Sequence, residues 1–163
     1  DAAPRVRPID SFSGQYNFLS NFWRCNVYLR YDNDRPRVLF PTIEHAFQAA
    51  KTLDLNDRER IRQCSSPQGA RQLGNEVRMR DDWYDIKVNI MAMLIRQKFS
   101  SESLRSKLLE TGDRELIEGN HWNDTFWGVC RGKGSNHLGK LLMAERSRII
   151  SEESQRAPNL VLR

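Results

Sequence analysis

Three polar residues of different chemistry recur at helical spacing between positions 44 and 51. Glu44, Gln48 and Lys51 are separated by four and then three residues, so a helix through this segment places their side chains on one face. A carboxylate, an amide and an amine aligned in this way can serve as acid or base, orienting group and nucleophile. Solvent-facing polar residues of an ordinary amphipathic helix share this spacing, and spacing alone favours that simpler interpretation.

A second candidate group lies in an aromatic loop ahead of the last predicted helix. Segment 121–128 contains two tryptophans and a phenylalanine around Asp124, and it ends in Trp127-Gly128. A tryptophan face stacks well on a base or a sugar, and Asp124 can act on a polar atom of such a ligand. The same composition fits an aromatic-packed Ω-loop in which Asp124 is a turn residue.

Two more segments place polar residues in unusual surroundings. Lys87 lies in an otherwise apolar predicted helix, where a lysine ordinarily extends its amine to solvent. A lysine held near a pocket is instead a candidate nucleophile or charge partner. In segment 12–22, four aromatic residues alternate with small polar ones. Ser20 and Asn21 are therefore candidate hydrogen-bond donors to a sugar or phosphate, unless the segment is simply a loop packed on the core.

Hydrophobic periodicity predicts the elements that position these residues. Thr42 is the predicted N-cap of the helix that carries Glu44 and ends near Leu53. A long helix, Asp82 to Phe99, is apolar nearly all round and is expected to be buried. The other predicted strands are 9–12, a hairpin of 23–31 and 37–40, and 115–118. The other predicted helices are 57–64, capped by Asn56, 67–74, capped by Ser66 and ended by Gly74, 101–110, and a final helix from Asn136. Residues 119–135 are predicted to form a loop.

These elements predict an α+β fold, a single helix-rich domain with a small antiparallel sheet. Its expected limits are residues 9–150, with terminal segments 1–8 and 151–163. A chain of 163 residues suits one domain with its own core.

Composition narrows the function classes. Hydrophobic residues make up 39% and charged residues 29%, which is typical of a globular protein. No run approaches the roughly 20 apolar residues of a membrane span, and the first residues lack the apolar core of a secretory signal.

The odd number of cysteines, 3, indicates a reducing compartment, and we expect the cytoplasm. No Cys-x-x-Cys or His-x-x-x-His spacing indicates a metal site. The net charge of +5 weakly favours an anionic partner.

The order of several motifs along the chain resembles that of one known family. The motifs begin with Phe12-x-Gly14-x-Tyr16-x-Phe18-Leu19-Ser20-Asn21-Phe22 and Phe40-Pro41-Thr42-x-Glu44-His45-Ala46-Phe47-Gln48-Ala49-x-Lys51. They continue with Asp82-Trp83, Asp124-x-Phe126-Trp127-Gly128 and Gly134-x-Asn136-x-Leu138-Gly139-Lys140. Together they resemble the YbiA-like, or NADAR, family, over about residues 9 to 150.

This resemblance implies an N-glycosidase that hydrolyses the bond between a ribose carbon and a nitrogen. The implied substrates are ADP-ribose attached to guanine in DNA or RNA, and a phosphorylated ribosylamino-pyrimidine of riboflavin synthesis. A phosphorylated, nucleotide-like substrate is thus expected, with no cofactor, no metal and no membrane. The implied active-site residues are Glu44, Lys51, Trp83, Asp124 and Trp127, and the implied ligand contacts are Ser20, Asn21 and Asn136. Gln48, Lys87 and Gly128 are added as candidate substrate-binding residues.

The chemistry of the bond leaves two routes open. Either Glu44 or Asp124 can stabilise an oxocarbenium-like transition state, with a carboxylic acid protonating the leaving nitrogen. Alternatively, Lys51 can attack the ring-opened C1 and form a Schiff base, with Glu44 as acid and base. We prefer the second route. The competing hypothesis is a nucleotide or nucleic-acid binding module without catalysis.

Overall fold

The fold is helix-rich, with short strands in two separate pairs. The computed structural model describes residues 6–160, and side chains as far as residue 157. Of the predicted terminal segments 1–8 and 151–163, residues 1–5 and 161–163 therefore lie outside the described residues. In chain order the elements are a 3₁₀ helix Gly14–Leu19, β1 Arg24–Leu29, β2 Val38–Thr42, α1 Ile43–Ala50, α2 Leu55–Arg62, α3 Pro67–Glu76, α4 Trp83–Lys98, α5 Glu102–Glu110, β3 Gly119–Asn120, β4 Val129–Cys130 and α6 His137–Leu160.

The chain divides into two compact units. One is Ser20–Ser101, and the other joins the described residues before it to those after it. In the first unit, β1 and β2 form the predicted antiparallel hairpin, with Val27 opposite Phe40 and an irregularity between Arg24 and Val27. The side chains of Val27 and Phe40 are fully buried. The hairpin thus contributes one apolar face to the core of this unit.

Helix α1 is the centre of the first unit. It packs on both hairpin strands and on helices α2, α3 and α4, and each of its eight residues is buried. Thr42 is the N-cap as predicted, because its hydroxyl accepts a hydrogen bond from the amide of His45. The helix ends at Ala50, earlier than predicted, with Lys51 as its C-cap. Its polar face is therefore enclosed by protein, whereas the spacing alone favoured a face open to solvent.

The neighbouring helices correct three other predictions. Asp54, and not Asn56, caps α2 through its carboxylate, because the helix begins two residues earlier than expected. Helix α3 continues past Gly74 to Glu76. Helix α4 has nearly the predicted limits but is only partly buried, since Met93 is 40% exposed. Its many apolar residues made complete burial the expected outcome.

In the second unit, the predicted strands at 9–12 and 115–118 are reduced to one bridge. Ile9 and Leu116 pair in parallel, and both are buried. The expected loop 119–135 contains two short strands, β3 and β4, which pair in parallel. Helix α6 extends to Leu160, so most of the predicted terminal segment 151–163 is helical.

Candidate functional site

Glu44 is a buried carboxylate on the first turn of α1. Its residue is 3% exposed, and one oxygen, Oε1, accepts two hydrogen bonds. The Gln48 amide nitrogen donates to Oε1 over 2.8 Å, and Arg71 Nε donates over 3.1 Å. The second oxygen, Oε2, takes part in no hydrogen bond within residues 6–160. The predicted pairing of Glu44 with Gln48 on one face is therefore present, with one carboxylate oxygen left for a ligand.

Gln48 has little freedom because α3 passes directly beside it. A Cβ placed on Gly74 would lie 1.9 Å from Gln48 Oε1 and 2.6 Å from Cδ, so only glycine leaves room for this side chain. Gln48 Oε1 is buried and has no hydrogen-bond partner among the described residues. An unpaired buried acceptor is unusual in a folded protein. Gly74, expected only to end a helix, instead shapes the position of Gln48.

Arg71 on α3 belongs to this group, and sequence reasoning missed it. Besides its bond to Glu44, its guanidinium carbon lies 4.7 Å above the ring centroid of Phe22. The Arg71 side chain keeps 43% exposure, whereas that of Glu44 keeps 4%. The two residues are 27 positions apart in the chain. No periodicity or motif connects positions so distant, so only the folded chain reveals the pair.

Lys51 ends α1 next to the same carboxylate. It is half-buried, and burial is the main cause that lowers the pKa of its amine. The positive charges of Arg71 and Lys87 lower this pKa further, while the negative charge of Glu44 opposes them. A lysine with a lowered pKa has more neutral amine near pH 7, and the neutral amine is the nucleophilic form. The backbone carbonyl of Lys51 accepts from the Arg80 amide over 2.7 Å, which fixes the end of α1.

Ser20 and Asn21 form a turn at the N-terminus of α1. The Ser20 hydroxyl accepts from the Phe22 amide over 3.1 Å, and the Asn21 carbonyl accepts from the Glu44 amide over 3.1 Å. The buried ammonium of Lys98, 1% exposed, donates to the Ser20 carbonyl over 2.8 Å. Asn21 Oδ1 is buried and has no hydrogen-bond partner in the described chain. The turn is thus held from several sides and presents an unsatisfied acceptor.

Trp83 and Lys87 lie in the first two turns of α4. Trp83 is 3% exposed, and its ring packs on Phe47 with centroids 4.9 Å apart, so its ring is part of the core of this unit. Lys87 Nζ lies 5.0 Å from the ring centroid of the exposed Tyr84. The charge of Lys87 acts on Lys51, which indicates that α4 contributes a cation to the surroundings of that amine.

His45 has a structural role despite its place between the candidate residues. Its Nε2 is 3.0 Å from the Cys64 carbonyl and its Nδ1 is 2.7 Å from the Thr42 hydroxyl. A carbonyl only accepts, so Nε2 carries the proton and Nδ1 accepts from Thr42. Burial lowers the pKa of His45, which favours this neutral ring. Both nitrogens are therefore used within the protein.

The aromatic loop lies in the other unit of the chain. Asp124 Oδ1 accepts from the amides of Phe126, at 3.2 Å, and Trp127, at 2.9 Å. The backbone of Asp124 is bonded in turn by the side-chain amide of Asn120. This geometry is an Asx-type turn. Asp124 therefore shapes its own loop, and its other carboxylate oxygen has no described hydrogen bond.

The remaining predicted residues of this loop have structural partners. Trp127 is half-buried and meets the Phe126 ring edge-on at 4.8 Å. Gly128 is closely covered, because a Cβ there would lie 2.1 Å from the Glu118 carbonyl. The side-chain oxygen of Asn136 accepts from the backbone amide of Glu118, and its side-chain nitrogen donates to the Leu116 carbonyl. The backbone of Asn136 has a left-handed φ of 52°. Asn136 is 7% exposed and joins two backbone segments.

The structure thus brings together Ser20, Asn21, Glu44, Gln48 and Lys51 in one unit, with Trp83 and Lys87 on α4 of that unit. The candidates Asp124, Trp127, Gly128 and Asn136 form a separate group in the other unit. Their roles in binding or catalysis stay predictions. Within residues 6–160, no cluster of three His, Cys, Asp or Glu side chains is placed to hold a metal ion, and no helix has the length and apolarity needed to cross a bilayer.

Comparison with known proteins gives one consistent family. Residues 10–150 match the profile of the NADAR domain. The N-glycosidase YbiA of Escherichia coli is 41% identical, with 88% of both chains covered. The NMR structure of E. coli YbiA superposes with a TM-score of 0.74, at 35% identity, and covers 91% of this chain and 89% of that one. A riboflavin biosynthesis protein of Vibrio vulnificus is 36% identical over 82% of this chain, which spans 36% of that protein's length.

Proposed function

The chain belongs to the NADAR domain family, and from this membership we propose that it is an N-glycosidase that hydrolyses a ribose C1–N bond. One observation from the structure supports this proposal independently of the names of relatives. Glu44 is buried and keeps one carboxylate oxygen outside the protein's own hydrogen bonds, while Lys51, at the end of the same helix, has a lowered amine pKa. This pair supplies the acid, base and nucleophile that the reaction needs.

In the preferred route, Lys51 forms a covalent intermediate. The substrate's ribosylamine opens to an imine at C1, and the neutral Lys51 amine adds to that carbon. The Glu44 carboxylic acid gives a proton to the leaving nitrogen, so the C1–N bond breaks and the lysine remains bound as a Schiff base. Water then adds to C1, with the Glu44 carboxylate taking its proton. Collapse of this adduct releases the sugar aldehyde, regenerates the lysine amine and consumes one water in total.

The alternative route needs no covalent intermediate. The carboxylate of Glu44 or of Asp124 would stabilise an oxocarbenium-like C1 while water attacks it. The two routes differ in one measurable way, because only the first yields a secondary amine on Lys51 after reduction. Neither route requires a metal ion or an organic cofactor.

We propose a phosphorylated, nucleotide-like substrate. The name of the Vibrio relative favours the phosphorylated ribosylamino-pyrimidine of riboflavin synthesis, and ADP-ribosylated guanine in DNA or RNA is the second candidate. The positive charges of Arg71 and Lys87 both act on Lys51, and Arg71 pairs with the Glu44 carboxylate. The net positive charge of these residues suits a phosphate-bearing ligand. We also propose residues 9–150 as the functional domain.

Turnover of both candidate substrates by the wild-type chain tests the proposal. We expect release of the free base or amine by the wild type, and a loss of at least a hundredfold in Glu44→Gln and Lys51→Arg. Sodium borohydride should trap the sugar on wild-type protein, and digestion followed by mass spectrometry should place the added mass on Lys51. Matched controls are Glu59→Gln on α2 and Lys140→Arg, an exposed position on α6.

Each negative result has a defined meaning. If the wild type hydrolyses the substrate but borohydride traps no sugar on the protein, the oxocarbenium route would be supported. Full activity of Lys51→Arg would exclude the lysine as nucleophile. Binding of both substrates without turnover of either would support the non-catalytic binding module instead.

A further inference from the structure

Arg71 makes the one ion pair that the described chain gives to Glu44, yet it comes from a different helix. It approaches from α3, while Gln48 approaches from α1 itself. Both donors converge on the same oxygen, Oε1. Two donors on one carboxylate oxygen fix the rotation of the whole group, because the oxygen cannot move without breaking both bonds. The other oxygen, Oε2, is thereby held at a defined position.

The guanidinium itself is held in place from two sides. Nε is bonded to Glu44, and the plane of the group lies near the Phe22 ring at 4.7 Å. Phe22 belongs to the turn that includes Ser20 and Asn21, whose backbone bonds the start of α1. A cation over an aromatic face is attracted by the ring's quadrupole. Arg71 therefore connects this turn, α3 and the carboxylate of α1.

We infer that Arg71 is a positioning residue of the N-glycosidase reaction, which holds Glu44 through Oε1 so that Oε2 is the oxygen that exchanges protons with the substrate. This inference rests on the proposed function. Arginine suits the role because its planar group offers Nε at a fixed angle, whereas the lysine ammonium is a rotating point charge.

Arg71 also influences the second member of the pair. Its positive charge lowers the pKa of Lys51, together with burial and the charge of Lys87, against the raising effect of Glu44. Removal of the Arg71 charge should therefore raise the pKa of Lys51. A residue whose charge does not reach Lys51 would leave that titration unchanged, so the titration reports separately that the Arg71 charge lies beside the Lys51 amine.

The test compares Arg71→Gln, Arg71→Lys and the wild type on the substrate that the wild type hydrolyses. We expect kcat to fall at least tenfold in Arg71→Gln, with a smaller change in KM. Arg71→Lys should recover only part of the wild-type kcat. Arg62→Gln is the matched control, since Arg62 makes a partly exposed ion pair with Glu59 on α2. Its kcat should equal that of the wild type.

A second measurement works without turnover. The lysines are dimethylated with ¹³C-formaldehyde and a reductant, and the NMR signal of Lys51 is assigned by its loss in Lys51→Arg. Its titration midpoint should move to higher pH in Arg71→Gln and stay near the wild-type midpoint in Arg71→Lys. If Arg71→Gln is too unstable for kinetics, Arg71→Lys alone must still show the reduced kcat.

Three outcomes would overturn the inference. One is a kcat of Arg71→Gln within twofold of the wild type. Another is a rise in KM with kcat unchanged, which would make Arg71 a substrate-binding residue. The third is full recovery of kcat by Arg71→Lys, which would leave charge alone as the requirement. Inactivity of the wild type on every substrate would instead contradict the proposed function, so the two failures are distinguishable.

Discussion

Replacement of Gly74 with alanine should disable the site although residue 74 carries no functional group. The new Cβ would lie 1.9 Å from Gln48 Oε1, 2.6 Å from Cδ and 2.9 Å from Cβ. Ordinary carbon contacts require about 3.5 Å, so the Gln48 side chain must leave its position. Gln48 is 5% exposed, so most of the atoms around its side chain belong to the protein.

The size of the effect follows from two losses and one smaller gain. Displacing Gln48 removes its hydrogen bond to the Glu44 carboxylate, worth roughly 1.5–3 kcal/mol for a bond to a charged group. Overpacking lowers the free energy of unfolding by about 1–3 kcal/mol more, whereas alanine in place of a helical glycine raises it by about 1 kcal/mol. The net destabilisation is then about 3 kcal/mol. At about 2–4 °C per kcal/mol for a chain of this size, Tm should fall by about 10 °C.

Thermal unfolding and kcat at a temperature well below Tm would be measured together. We expect the fall in Tm and a loss of kcat of at least tenfold, because Glu44 keeps only one of its two donors. Gly69→Ala is the matched control on the same helix. Its Cβ would approach Ser66 Oγ at 3.3 Å, a tight contact whose cost is opposed by the gain of about 1 kcal/mol from alanine in a helix. We therefore expect a much smaller change in Tm than in Gly74→Ala, with unchanged activity.

A double-mutant cycle identifies the cause. In a Gln48→Ala background, two of the three nearest contacts at Gly74 are gone, and the 2.9 Å contact to Gln48 Cβ is the one of the three that remains. Gly74→Ala should therefore cost at least about 1 kcal/mol less than in the wild type. Equal costs in the two backgrounds, or a fully stable and active Gly74→Ala, would refute the reasoning.

Three further changes test the fold and the electrostatics of the two units. Lys87→Met removes a charge that lowers the pKa of Lys51, so the pH for half-maximal borohydride trapping should shift upward; a downward shift would contradict the stated sign. Thr42→Ala removes the N-cap of α1 and the hydroxyl that bonds His45, and chemical denaturation should show a loss of about 1–2 kcal/mol. Asn136→Gly keeps the left-handed backbone but removes both hydrogen bonds of the Asn136 side chain, one buried and one partly buried. It should be destabilised by about 2 kcal/mol, and an unchanged denaturation midpoint would show that these bonds contribute nothing.

Local signals in the sequence accounted for much of the secondary structure. The hairpin, the Thr42 cap of α1, the Ser66 cap of α3 and nearly the whole of α4 followed from alternation, capping residues and helical periodicity. These signals act between residues a few positions apart, so they can be read directly from the order of residues. The short parallel pair β3–β4 could not be read in this way, because two-residue strands have no periodicity.

For the site, the sequence by itself determined that Glu44, Gln48 and Lys51 share one helical face, since helix geometry alone sets that relation. The order of motifs along the chain also indicated the family. Only the tertiary structure decided that this face is buried, because burial depends on α3 and α4 packing against α1. Arg71 and Gly74 became visible only there, since each acts on a residue 26 or 27 positions away. Contacts over such distances arise from chain folding, and no local pattern of residue types encodes them.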